Sequence, residues 1–154
     1  EEKLVSGLHC EAETAKEEMQ ATKELWEKTG GRTYKHFVQS YHKDEKITPE
    51  QAHRNALQLA ENTPAWKGFE VLVATHKDKD HIHTHFIVNS VNFEDGHKLQ
   101  WSSADLRELK QRQMCIRDRH RAKNRDCMFQ KRERPLKGRS VRKRWHGRKK
   151  HTSF

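Results

Sequence analysis

The chain has 154 residues, 32% hydrophobic and 35% charged, which suits one domain with a small core. It has no apolar run near the roughly 18–20 residues needed to span a bilayer, and its acidic start does not read as a signal peptide. The net charge of +10 invites a nucleic-acid partner, but residues 1–112 hold 16 Lys+Arg against 19 Asp+Glu, while residues 113–154 hold 16 against 3.

Residues 11–28 carry Ala15, Met19, Thr22, Leu25 and Trp26 at helical spacing, and Gly30-Gly31 stops that helix. Residues 33–41 alternate and are rich in aromatic and β-branched types, which predicts a strand. A second helix starts with Thr48 as its cap and Pro49 in its first turn. It runs to about Asn62, with Ala52, Ala56, Leu59 and Ala60 on one side. Residues 69–76 and 83–92 predict two strands joined through the polar segment 77–82, a β-hairpin. After the turn at Glu94-Asp95-Gly96, Lys98–Trp101 reads as a short strand. Ser102 or Ser103 caps a third helix over 104–112. The order is that of an α+β fold, an antiparallel sheet with helices packed on it.

Residues 113–119, Gln-Met-Cys-Ile-Arg-Asp-Arg, coincide with one translated frame of the transposase mosaic end used in sequencing libraries. A match of that length points to adapter sequence carried into an assembled gene. Residues 120–154 crowd Arg and Lys without periodicity, as a shifted reading frame does, and are expected to be a disordered basic tail. The competing reading is a genuine basic helix. Cys10, Cys115 and Cys127 lack CxxC spacing and fit a reducing, cytoplasmic setting without disulfides. The chain begins Glu-Glu-Lys without Met, so its natural start is expected upstream.

The chemistry concentrates in residues 75–92, THKDKDHIHTHFIVNSVN. His81, His83 and His85 alternate, so a strand projects them from one face. A turn through 77–82 brings His76 beside that face. Imidazoles converging from two adjacent strands can hold a divalent metal. Three neutral ligands leave the ion its full charge, a strong Lewis acid toward a phosphate oxygen. Asp78 or Asp80 can hydrogen-bond a ligand histidine and fix its tautomer. Asn89 shares the face of His83 and His85 by the period of two. The plain alternative is a set of surface histidines on a polar hairpin. A structural zinc site would favour cysteine, and none lies near. The HExxH pattern of zinc proteases and the H-x-E…PCxxC pattern of deaminases are absent. Trp26 and Trp66 read as packing residues, and Lys67, Lys77 and Lys79 as solvated charge or phosphate contacts.

The string His76-x-Asp78-x-x-His81-x-His83-x-His85-Phe86-Ile87-Val88-Asn89 resembles the third motif of relaxase/mobilisation nucleases, within the HUH endonucleases of mobile elements. Leu4-Val5-Ser6-Gly7, the His36–Ser40 segment and Ile47-Thr48-Pro49-Glu50-Gln51-Ala52 resemble the same family's first half. The resemblance covers about residues 3–112, read as a partial nuclease domain lacking its first motif. It implies a bacterial, cytoplasmic enzyme that nicks single-stranded DNA at a plasmid origin of transfer, aided by relaxosome accessory proteins. A tyrosine would attack the scissile phosphate and stay linked to the 5′ end. Mg²⁺ or Mn²⁺ would be held by His76, His83 and His85, with His81 as a substitute ligand. The family's nucleophilic tyrosine precedes the Leu-Val-Ser-like segment, so it is expected upstream of Glu1 and the chain as it stands is expected to be inactive. Tyr34 and Tyr41 read as sheet-packing residues, and Tyr41, at the strand end, is the better long-shot nucleophile within the chain. The alternatives are a rolling-circle replication initiator, which carries its tyrosine downstream of the histidines, and a non-catalytic metal- or DNA-binding module.

Overall fold

The computed structural model describes residues 4–78 and 81–121. Its elements are β1 (Leu4–Leu8), α1 (Ala15–Leu25), β2 (Tyr34–Ser40), α2 (Pro49–Glu61), a 3₁₀ turn at Pro64–Trp66, β3 (Val71–Asp78), β4 (His81–Asn89) and α3 (Ser103–Arg121). The four strands form one sheet in the order β1-β3-β4-β2, with every pairing antiparallel. This is the expected α+β architecture.

Alternation divides the sheet into two unlike faces. On one face Val71, Val73 and Thr75 of β3 and Ile82, Thr84, Phe86 and Val88 of β4 are buried. α2 seals this side with Ala56, Leu59 and Ala60, and α3 adds Leu109 and Ile116. Trp66 lies at the centre of the core, its ring 5.5 Å from Phe86 and 5.9 Å from Trp101. Among the described residues, the opposite face is covered at one end, where α1 lies against Leu72, Ile87 and Asn89. Its other end carries the histidines and stays open.

The helix signals work as local chemistry predicts. Thr48 Oγ1 accepts from the Gln51 amide at 3.2 Å, and Pro49 opens α2. Ser102 and Asp105 satisfy each other's amides at 3.2 and 2.7 Å, a reciprocal cap for α3. In α1 the stripe differs from expectation. Leu25 is 76% exposed, while Lys23 is buried because its Nζ donates to Asn89 Oδ1 at 3.2 Å. Trp26 packs on Gly96, a residue with φ of 74° whose Cβ position would lie 2.4 Å from the indole.

Three further differences have physical reasons. β1 is an additional strand, short and at the sheet edge. Lys98 makes a single bridge to Val91 and no strand. α3 continues past 112 to Arg121, because Ile116 joins the core and Arg117 pairs with Glu45. A helix of this composition can form whatever the origin of its codons, so the adapter reading of residues 113–119 stays a proposal, tested by sequencing the source locus without transposase-based libraries. An uninterrupted natural frame through Met114–Arg119 would sink it. The tail expected over 120–154 lies, beyond Arg121, outside the described residues.

Candidate metal centre

β3 and β4 meet in a register that pairs His76 directly with His83 and Ala74 with His85. β2 flanks them on the other side, with Ser40 opposite His83 and Val38 opposite His85. The cross-strand spacing of a sheet therefore gathers His76, His83 and His85 on the open face. His81, one step nearer the turn, is exposed, with its ring 6.0 Å from that of His83.

The closest approach is between His76 and His85. Their Nε2 atoms stand 2.8 Å apart, and the rings stack at 4.9 Å with an interplanar angle of 7°. His83 lies beside His76, ring centroids 5.8 Å apart. Two ligand atoms at a right angle on one octahedral ion, each about 2.1 Å from it, stand roughly 3 Å apart. The His76–His85 pair is therefore within a few tenths of an ångström of a shared ion's requirement. The full triad is not closed: among the described residues, no three His, Cys, Asp or Glu side chains converge as a complete ligand group. Rotation of His83 toward the pair would supply the third nitrogen. Burial, then the neighbouring His76, His36 and His83, lowers the His85 pKa, which favours the neutral, ligating form.

Beneath the histidines, on the core face, the half-buried Ser6 begins a chain of polar groups that continues through the buried His53, Thr75 and Thr84. Ser6 Oγ lies 2.8 Å from His53 Nε2, His53 Nδ1 lies 2.9 Å from Thr75 Oγ1, and Thr75 Oγ1 lies 2.9 Å from Thr84 Oγ1. Thr75 precedes His76 and Thr84 separates His83 from His85, so this chain anchors the backbone that carries these histidines. Burial lowers the His53 pKa. A further histidine enters from β2: His36 Nε2 lies 2.8 Å from His85 Nδ1. Sequence reading assigned no role to His53 or His36, because their partners lie 22 and 49 residues away.

Other expected site residues are not at the histidines. Asn89 shares their face, but its side chain bonds Lys23, Met19 and Glu70 beneath α1. The side chains of Asp78 and Asp80 lie outside the described residues. Tyr41 is buried on the core face beside Ala52 and Ile82, and its hydroxyl accepts from Gln39 Nε2 at 2.8 Å. Burial raises its pKa. Tyr34 lies on the histidine face but pairs with Asn89, four residues along β2 from Val38, or roughly 13 Å from the His85 row at about 3.3 Å per residue.

A family model described as "Relaxase: MobA/VirD2-like, nuclease domain" matches residues 1–121. The chain belongs to this family. Among relatives of this relaxase domain, two proteins named "Protein rlx" from Staphylococcus aureus are 36% and 39% identical over 106 and 104 residues, covering 69% and 68% of the chain. The "Group II intron-interrupted relaxase LtrB" of Lactococcus lactis subsp. cremoris (strain MG1363) is 38% identical over 66 residues, or 43% of the chain. The chain spans 31% and 32% of those two Rlx proteins and 12% of LtrB. No solved structure matches it significantly. Among the described residues, no helix is long and apolar enough to cross a membrane.

Proposed function

We propose that this chain is the metal-holding part of a mobilisation relaxase that nicks single-stranded DNA at a plasmid origin of transfer through a tyrosine–phosphate intermediate. The observation that carries the proposal is the open-face row of His76, His83 and His85 in a domain of the relaxase nuclease family. These three would hold Mg²⁺ or Mn²⁺, a Lewis acid that polarises a phosphate oxygen of the scissile link. His81 is the substitute ligand, and Asp78 or Asp80 the candidate orienting groups.

The chain's own residues supply position. Strands β3 and β4 fix the ligand spacing, and the Ser6–His53–Thr75–Thr84 chain anchors both strands from below. Farther along the same sheet face, α1 and the sheet enclose a cleft of about 560 Å³ lined by Met19, Leu72, Ile87 and Tyr34 with Lys16 and Lys23. Such apolar walls with the exposed Lys16 at the rim suit an unpaired base and its phosphate. We assign the nucleophilic tyrosine to sequence preceding β1. Leu4, the first described residue of β1, pairs with Thr75, the sequence neighbour of His76. The burial of Tyr41 on the opposite face and the distance of Tyr34 favour that assignment. The domain would act in the bacterial cytoplasm with relaxosome accessory proteins.

The test is cleavage of an oligonucleotide bearing the cognate nick site, using the chain extended upstream through the tyrosine-bearing segment. The proposal expects Mn²⁺-dependent nicking with a covalent 5′ adduct. No nicking by the extended protein would refute the enzyme reading and leave a non-catalytic binding module.

A further inference from the structure

His36 lies outside the histidine-rich hairpin, on β2, yet it makes one of the closest contacts to it. Its Nε2 stands 2.8 Å from His85 Nδ1, and the rings stack at 5.1 Å with an interplanar angle of 16°. His85 thus has a partner on each nitrogen: His36 on Nδ1 and His76 on Nε2. In a neutral imidazole one nitrogen donates and the other accepts, so the partner of one nitrogen sets the state of the other. Were the Nε2 of His85 to carry the proton, its lone pair would point at His36, away from His76 and His83.

We propose that His36 is a positioning residue: it accepts the Nδ1 proton of His85 and thereby turns the Nε2 lone pair of His85 toward His76. This rests on the metal reading above, in which His85 binds through Nε2. Carboxylates or backbone carbonyls commonly fill this role beside a ligating histidine, and here a second imidazole does so. The stacked geometry also fixes the ring plane of His85. His36 is exposed, so its own Nδ1–H can be satisfied by water.

The test is long-range ¹H–¹⁵N correlation of the histidine rings in the metal-free chain, above the ordinary imidazole pKa, with His85 identified by the signals lost in His85→Gln. The proposal expects His85 to be protonated on Nδ1. His36→Gln, which keeps an acceptor at that place, should preserve this tautomer and Mn²⁺ affinity within a few-fold. His36→Leu should abolish the tautomer preference and weaken Mn²⁺ binding about 10–100-fold. A His85 protonated on Nε2 in the unaltered protein would overturn the proposal. So would a His36→Leu variant with unchanged tautomer and affinity. If the unaltered chain bound no Mn²⁺ but showed the Nδ1 proton, the metal reading would fail while the hydrogen bond from His85 to His36 stood.

Discussion

His53 shows how much of the site depends on a residue that touches none of its proposed ligands. Its two ring nitrogens bridge Ser6 on β1 and Thr75 on β3. His53→Ala removes the link between the half-buried Ser6 hydroxyl and Thr75, whose own hydroxyl keeps only Thr84, so it should lower stability by about 1–3 kcal/mol, measured by denaturant unfolding. Because burial lowers its pKa in the folded state, the unfolded chain binds the extra proton first as pH falls. Its contribution is complete above about pH 6.5 and is lost as pH falls toward the lowered folded value. The unfolding midpoint should therefore drop on acidification through that window, and His53→Ala should flatten the profile. At this scale the hairpin histidines were readable because alternation alone puts them on one face. His53 and His36 were not, since only sheet register and helix docking bring them to Thr75 and His85.

At the scale of elements, capping and turn chemistry carried through from sequence to structure. Thr48, Pro49 and the Ser102–Asp105 pair start their helices where side-chain chemistry places them. The elements that were missed depend on tertiary partners. β1 is five residues with a glycine inside, too short to declare itself without β3 beside it. Lys23 is buried at the expense of the Leu25 stripe because Asn89 waits across the sheet. The turn after β4 gives a direct check. Gly96 has φ of 74° and presses against Trp26. Gly96→Ala should cost roughly 1 kcal/mol or more, read as a lowered unfolding midpoint. An unchanged midpoint would mean that the Trp26 contact contributes nothing to holding α1 on the sheet.

For the whole molecule, the division of charge matters most. The family match ends at residue 121, and residues 1–112 are slightly acidic. The histidine row belongs to the sheet, and the cationic excess to the C-terminal stretch. Ending the chain after Arg121 should therefore leave Mn²⁺ affinity unchanged while removing most non-specific, salt-sensitive DNA binding, seen as a shallower dependence of affinity on salt. The strand order β1-β3-β4-β2 could not be read from the sequence. It arises when the edge strand, β1, joins a hairpin separated from it by two helices and β2.

The central claim is that His76, His83 and His85 together hold one divalent ion. Calorimetric titration with Mn²⁺ tests it most directly. The account predicts one ion per chain and affinity at least about tenfold weaker in each of His76→Ala, His83→Ala and His85→Ala, with folding retained by circular dichroism. Equal Mn²⁺ affinity in the His83→Ala, His85→Ala double variant would contradict it.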